Sequence, residues 1–113
     1  MVDGDNIPAR GDIIWLNYSP QAGHEQAGHR PALVVSPRVY NERSSVILVC
    51  PITSRRRDGP FEVALPAGCP VEGVVLADQI RSQDWRARGA GFAAQAPRAV
   101  VGDVLAKVQL LVE

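Results

Sequence analysis

Short apolar runs, closed by proline or glycine, succeed one another through most of this 113-residue chain, and this pattern limits the fold more than any other feature. The runs are rich in β-branched and aromatic residues, which favour strands. We predict strands at residues 13–18, 30–35, 45–51, 61–65 and 73–83, with a further short strand at 85–88. The run at 45–51 is almost continuously apolar, so we expect this strand to be buried on both faces.

Helical periodicity is clear near the end of the sequence. Pro97 suits the first turn of a helix, where its missing N–H does no harm. One apolar stripe then recurs at helical spacing: Val100, Val101, Val104, Leu105, Val108, Leu111 and Val112. A single helical turn is also predicted at residues 39–43. Short strands followed by one helix predict a mainly β fold, a small, strongly bent antiparallel sheet or half-open barrel with a C-terminal α-helix.

Length and composition predict one folded domain, spanning residues 1–113, with a loose polar arm at residues 1–10. Hydrophobic residues make up 46% of the chain and charged residues 21%, which argues against disorder. No apolar stretch approaches the ~20 residues that a membrane span needs. The first residues also lack the features of a signal peptide, so we expect a cytoplasmic protein with no membrane contact.

Charge and cysteine content restrict the chemistry. The net charge is zero, which argues against a strong, salt-driven grip on nucleic acid. Of the twelve basic residues all but Lys107 are arginine, whose planar fork suits phosphate and base edges; a GC-rich genome explains this bias equally well. Two cysteines and two histidines form no zinc pattern, so no metal or cofactor is expected. Cys50 ends an apolar run and is expected to be a buried hydrophobe.

A polar, glycine-flanked loop leads into the second predicted strand. The glycines at its two ends allow the backbone to bend sharply, and the bend carries Glu25 and Gln26. Pro31 fixes its own φ and favours an extended conformation at Arg30, which places this guanidinium at the mouth of the strand. Functional groups often lie on loops that a rigid element carries, although a simply solvated loop is the commoner alternative.

Three polar clusters fall at predicted strand ends. They comprise Glu25, His29 and Arg30; Thr53 and Ser54 with the arginines at 55–57; and Asp78, Gln79 and Arg81. A small barrel gathers such ends on one rim, so these clusters are expected to converge. Arginines with aromatic side chains nearby suit single-stranded nucleic acid, whereas core packing is the alternative for the two tryptophans. His29 neighbours Arg30 on an extended segment, so we expect it to face the other way.

Several ordered motifs resemble the MazF/PemK family of bacterial toxins over about residues 10–113. The motifs are GDIIW at 11–15, EQAGHRPA at 25–32, SP at 36–37, PITS at 51–54, FEV at 61–63, LADQ at 76–79 and WRARG at 85–89. The resemblance implies a Src-homology-3-like barrel with a C-terminal α-helix. It also implies a homodimeric, metal-independent endoribonuclease that cuts messenger RNA and that a cognate MazE-like antitoxin holds inactive.

The same resemblance implies site residues. Arg30 and Thr53 are the principal catalytic positions, with Glu25 as the nearby carboxylate. The RNA-binding candidates are Trp15, Gln26, Asn41, Ser54, Arg55, Arg56, Arg57, Asp78, Gln79, Arg81 and Arg86. The PemK branch carries an arginine two residues before its active aspartate, where this chain has Leu76. Asp78 is therefore a weaker catalytic candidate than Arg30.

The residues themselves fit cleavage without a metal, in which the 2′-hydroxyl of the RNA attacks the adjacent phosphorus and leaves a 2′,3′-cyclic phosphate and a 5′-hydroxyl. Arg30 suits stabilisation of the phosphate charge, Thr53 can donate a hydrogen bond, and Glu25 can accept a proton. The alternatives are a non-enzymatic toxin that grips a topoisomerase, like CcdB, or a small barrel adaptor. Arg30 with Thr53 favours the enzyme, because a binding module needs no phosphate-directed pair.

Overall fold

A computed structural model describes residues 6–18 and 28–113 of the chain. These residues form seven strands: β1 Asp12–Tyr18, β2 Gly28–Val34, β3 Val46–Thr53, β4 Glu62–Ala64, β5 Val74–Leu76, β6 Arg81–Asp84 and β7 Gly91–Gln95. They also form helix α1 at Arg38–Arg43, a 3-10 turn at Ala77–Gln79 and helix α2 at Arg98–Val112. The predicted mainly β fold with a C-terminal helix is confirmed. Neither α-helix in these two ranges has the length and apolar content that a membrane span requires.

The strands make one bent antiparallel sheet in the order β4-β5-β3-β2-β1-β7, and β6 also pairs with β3. β3 is therefore central, with β2 along one side and both β5 and β6 along the other. Because β3 shares its length between two strands, the sheet curves around it. This curvature is what the prediction of a half-open barrel anticipated.

The predicted strand at 73–83 is wrong, because the chain interrupts it with the 3-10 turn. Ile52 of β3 pairs with Val75, whereas Val49 pairs with Arg81. The three residue steps from Val49 to Ile52 on β3 are thus matched by six steps from Val75 to Arg81. The extra residues of the second segment do not pair with β3 and form the turn. Such an insertion bends a sheet and redirects side chains. It places Asp78 and Gln79 in the turn, where both are exposed.

Alternation along β1, β2 and β3 sends side chains into two apolar clusters on opposite faces of the sheet. One cluster includes Ile13, Leu33 and Cys50 and receives Val100 and Val104 from α2. The other cluster comprises Ile7, Ile14, Leu16, Ala32, Val34, Ile47, Val49 and Trp85. The prediction that β3 is buried on both faces holds only around Val49 and Cys50, because Leu48 on the same strand is exposed. The predicted burial of Cys50 is confirmed.

The segment at 85–88 forms a turn, and its prediction as a strand is wrong. The Asp84 carboxylate accepts a hydrogen bond from the Ala87 N–H at 2.9 Å, and this bond stabilises the turn that follows β6. Gly89, with φ +58°, continues the turn in a conformation that favours glycine. β7 was not predicted, since its glycine and alanines have low strand propensity and its pairing with β1 depends on tertiary contacts.

The prediction of a loose arm is wrong for the part of it that the structure describes. Ile7 and Pro8 are buried, and the Pro8 carbonyl accepts a hydrogen bond from the Asn41 amide at 2.8 Å. The same amide donates to the Ser36 carbonyl at 3.0 Å, and its oxygen accepts from the Ser36 hydroxyl. Asn41 is thus fully buried and joins α1 to the arm. Its predicted role in RNA binding is wrong, because its donors and acceptor are used inside the protein.

Candidate active site

Strand pairing aligns the two predicted catalytic residues. Ala32 of β2 pairs with Pro51 of β3, and continuing this register by two residues sets Arg30 opposite Thr53. Residues two apart on a strand point to the same face, so both side chains leave the sheet on one side. β1 also pairs with this part of β2, at Leu16 and Arg30, and so holds the backbone of Arg30 in the sheet.

Arg30 and Thr53 line one open cleft of about 490 Å³, here called the Arg30 cleft. Its walls include Trp15, His29, Arg30, Thr53, Ser54 and Glu72. The Arg30 side chain is exposed, whereas Trp15 and Thr53 are half-buried. His29 also lines this cleft, which opens at the end of β2, while alternation along the strand puts its side chain on the face opposite to that of Arg30, as expected. The cleft therefore presents a cation, a hydroxyl and an aromatic face together.

The Thr53 hydroxyl has a defined orientation. Its Oγ1 accepts the backbone N–H of Arg55 at 3.1 Å. Since this bond uses a lone pair of the oxygen, the hydroxyl proton is left to donate to another acceptor. A phosphate oxygen held by Arg30 would be such an acceptor.

The backbone of Thr53 is held closely by Gly73, which precedes β5. Gly73 has φ +129°, and a Cβ at this residue would lie 2.8 Å from the carbonyl carbon of Thr53 and closer still to the carbonyl oxygen. No side chain fits in this space. The close approach of Gly73 therefore determines where β3 ends and where Thr53 lies.

We expect Gly73→Ala to lower the free energy of unfolding by about 3 kcal/mol or more, because it combines backbone strain with a collision. Gly68→Ala is the matched control, since Gly68 also has positive φ but nothing lies within 4 Å of the point that its Cβ would occupy. It should cost only about 1–2 kcal/mol. Urea unfolding measures both values. Equal costs for the two variants would show that contact with Thr53 does not constrain residue 73.

A second cleft, of about 470 Å³, begins at Thr53 and runs toward β4 and the 3-10 turn; we call it the loop cleft. Its walls include Thr53, Arg55, Arg57, Phe61, Asp78 and Gln79. Thr53 belongs to both clefts, so the two clefts adjoin at this residue. The predicted convergence of the clusters is confirmed for Arg30, Thr53, Ser54, Arg55, Arg57, Asp78 and Gln79.

The remaining RNA-binding candidates lie elsewhere. Arg56 lines a separate small cleft with Ala64 and Val74. Arg81 is exposed on β6 opposite Val49, and neither the Arg30 cleft nor the loop cleft includes it. Arg86 stacks on the Trp85 ring, with its guanidinium carbon 4.3 Å from the ring centroid, and lines a third cleft with Asn6 and Phe92. Trp85 itself is buried, as the core alternative required.

Glu25 and Gln26 lie outside the described residues. The carboxylate that the structure does bring to the Arg30 cleft is Glu72, which the sequence analysis missed. Glu72 is exposed in the loop before β5, where no periodic pattern marks a functional position. Only the fold of this loop beside Thr53 makes it a candidate.

Cys50 lies beneath the surface near Asp78 and takes no part in nucleophilic chemistry. Burial, and to a smaller degree the negative charge of Asp78, raise the pKa of the Cys50 thiol to about 12. The thiol is therefore neutral at physiological pH. Within residues 6–18 and 28–113, no group of three or more His, Cys, Asp and Glu side chains is arranged to hold a metal ion.

A small bent sheet with an arginine and a threonine facing one cleft defines a phosphate-directed site on a β scaffold. Residues 9–112 match the family described as the PemK-like, MazF-like toxin of type II toxin–antitoxin systems. The chain belongs to this family.

Relatives with known names span most of the chain. The endoribonuclease toxin MazF of Escherichia coli K12 is 50% identical over 84 residues, covering 74% of this chain and 75% of that protein. The endoribonuclease PemK of Escherichia coli is 36% identical over 106 residues, covering 90% and 80%. A crystal structure of MazE–MazF from Deinococcus radiodurans is 52% identical, has a TM-score of 0.89 and covers 94% of this chain and 96% of that chain.

Proposed function

We propose that this chain cuts single-stranded messenger RNA, at a short sequence motif and without a metal, by directing the 2′-hydroxyl of the RNA against the adjacent phosphorus. The P–O5′ bond breaks as the new P–O2′ bond forms, leaving a 2′,3′-cyclic phosphate and a 5′-hydroxyl. The observation that carries the proposal is the placement of Arg30 and Thr53 on one face of neighbouring strands, lining one cleft.

The general activity follows from membership of the family. The chain is an endoribonuclease toxin of a type II toxin–antitoxin system, in keeping with relatives named as the endoribonucleases MazF and PemK. The non-enzymatic alternative, a topoisomerase-binding toxin, has no support in the site. A protein-binding surface does not require a guanidinium and a hydroxyl directed at the same point.

Arg30 and Thr53 divide the stabilisation of the phosphate between them. The Arg30 guanidinium supplies positive charge and a planar pair of donors to the non-bridging oxygens. The Thr53 hydroxyl donates to the same phosphate. Since β2 and β3 hold both groups before substrate arrives, little reorganisation is needed as charge develops in the transition state.

Two proton transfers remain: we assign the removal of the 2′-hydroxyl proton to Glu25, and solvent, which reaches the open Arg30 cleft, supplies the proton that the leaving 5′-oxygen takes up. We expect Glu25→Gln to lower kcat by about 10²-fold or more, because a missing general base costs 10²- to 10⁴-fold. Glu72→Gln is the matched control and should lower kcat less than about threefold. Single-turnover cleavage at several pH values measures both. A larger loss with Glu72→Gln would transfer the role of the base to Glu72.

The RNA strand on this proposal crosses both clefts. Trp15 offers an aromatic side chain for a base at the Arg30 cleft, with Ser54 as a polar contact. We propose Gln26 as a further RNA contact from its place in the sequence, two residues before β2. Asp78 and Gln79, exposed in the loop cleft, can read the edges of an unstacked base, while Arg55 and Arg57 meet phosphates. Arg56, Arg81 and Arg86 lie outside these clefts, so we assign them no direct contact at the cut.

The proposed partners follow from relatives. MazE and MazF of Deinococcus radiodurans form complexes, and we propose that a MazE-like antitoxin covers the clefts of this chain within a homodimer. A surface carrying Arg30, Arg55 and Arg57 attracts an acidic peptide for the same reason that it attracts RNA. Competition between the two ligands, weakening as salt rises, would support a shared surface. The site of action is the cytoplasm, where messenger RNA is available.

The direct test incubates the purified protein with a mixed pool of RNA in EDTA and maps the new ends. We expect cleavage at one short motif, with 2′,3′-cyclic phosphate and 5′-hydroxyl ends. Activity that requires added Mg²⁺, or products with 5′-phosphate ends, would contradict the mechanism.

A further inference from the structure

The loop at residues 54–60, between β3 and β4, carries three consecutive arginines and is held at two points. At its start, the Arg55 N–H donates to the hydroxyl oxygen of Thr53 at 3.1 Å. Farther along, the Glu62 carboxylate accepts the Arg57 N–H with both oxygens, at 3.1 and 3.2 Å, and the Asp58 N–H at 3.0 Å. A loop of three exposed cations is thus tied to the scaffold by backbone groups, which leaves the guanidinium groups available.

Glu62 is a firm anchor for this loop. It begins β4 and pairs with Leu76 of β5, and its own N–H donates to the Gly59 carbonyl at 3.2 Å. Hydrogen bonds from backbone N–H groups to a carboxylate are stronger than those to a neutral acceptor. They also offset the left-handed backbone of Asp58, with φ +57°, which costs energy in a residue other than glycine.

In this loop conformation, neighbouring arginines line different clefts. Arg55 and Arg57 line the loop cleft, which they share with Thr53. Arg56 lines the small cleft on the other side, with Ala64 and Val74. Three residues of identical chemistry therefore occupy different environments, and the conformation that Glu62 holds decides which of them face Thr53.

We propose that Glu62 is a positioning residue that sets Arg55 and Arg57 toward the RNA phosphates next to the one that is cut, and directs Arg56 away from them. The inference rests on the proposed function, because it assigns RNA to the loop cleft. Glu62 does not itself touch the reacting phosphate: its carboxylate bonds the loop backbone, and it is absent from the walls of the Arg30 cleft.

The proposal and a purely electrostatic account predict opposite changes in RNA affinity when the Glu62 carboxylate is removed. Removing a carboxylate near an RNA site should strengthen binding, if only the electrostatic potential matters, because RNA is an anion. We expect the opposite for Glu62→Ala, since the arginines lose their fixed positions. Asp103→Ala, which removes an exposed carboxylate paired with Lys107 on α2, is the matched control and should leave the Kd unchanged.

The test measures the Kd of a single-stranded RNA that carries the mapped cleavage motif with 2′-deoxyribose at the cut, using five variants. In the natural background, Arg57→Ser should raise the Kd about tenfold and Arg56→Ser less than twofold, in line with one lost phosphate contact. With Glu62→Ala added, the difference between the two should shrink to about twofold or less. Glu62→Ala alone should raise the Kd about fivefold while kcat at saturating RNA stays within threefold.

Hydrogen exchange of the free protein tests the anchor independently of RNA. In Glu62→Ala the amides of Arg57 and Asp58 should exchange at least tenfold faster while those of β2 and β3 keep their protection. Glu62→Gln, which keeps one acceptor oxygen and nearly the same shape, should show intermediate values and replaces Glu62→Ala if that variant fails to fold. If the Kd values of Arg57→Ser and Arg56→Ser differ as much in the Glu62→Ala background as in the natural protein, the inference is overturned. A natural protein that neither binds nor cuts RNA would instead overturn the proposed function.

Discussion

Replacing Arg30 by alanine should lower kcat/KM for RNA by about 10²- to 10³-fold and leave the fold intact, and Thr53→Ala should approach the same loss. Removing one preorganised donor to a developing oxyanion costs about 3–4 kcal/mol. Arg30 is exposed, so its loss opens no cavity in the core. Arg30→Lys should recover little, because an ammonium group cannot reproduce the planar fork of a guanidinium.

The double variant provides a sharper form of the same prediction. Since Arg30 and Thr53 line one cleft and are proposed to act on one phosphate, their losses should not add. We expect the double variant to be at most about tenfold slower than the slower single variant. Single-turnover kinetics with circular dichroism of each variant measures activity and fold together. Near-normal turnover of Arg30→Ala would place the active site elsewhere.

A single 2′-deoxyribose at the cut should abolish cleavage at that site. In the proposed reaction the 2′-oxygen is the nucleophile, so its removal leaves no attacking group, whatever the protein supplies. The deoxy substrate should still bind with nearly the affinity of RNA, because phosphate contacts by Arg30 and the loop cleft remain.

The same substrate distinguishes this route from attack by water. A nuclease that activates a water molecule would cut the deoxy strand, and one that uses a metal would fail in EDTA. Moving the deoxyribose one nucleotide away from the cut is the control and should restore cleavage. Cutting at the modified position would contradict the assignment of the nucleophile.

Much of the β scaffold was predictable because its signals are local. The runs that form β1 and β3 are rich in apolar residues over a short length, a pattern typical of a partly or fully buried strand. The stripe of α2 at helical spacing similarly predicted one face against the core, which Val100 and Val104 form, whereas its last members Leu111 and Val112 are exposed. Pro31 placed Arg30 on an extended segment, and β2 includes both residues.

Prediction failed where distant segments decide the local structure. The run at 73–83 has good strand residues throughout, yet pairing with two parts of β3 forces Ala77–Gln79 out of the ladder. Asn41 looks like an exposed polar residue of a short helix. It is buried because the chain before β1 folds over α1 and presents the Pro8 carbonyl.

By itself, the sequence determined most of the strands, the C-terminal helix and a short set of catalytic candidates, since these follow from residue chemistry and spacing along one segment. The tertiary structure alone decided that Arg30 and Thr53 line one cleft, that Glu72 joins them there, and that Glu62 bonds the backbone of the loop at residues 54–60. Each of these arrangements depends on strand register or on contacts between segments that are separated in the sequence. Such pairings arise from the summed packing of the sheet, which no single residue encodes.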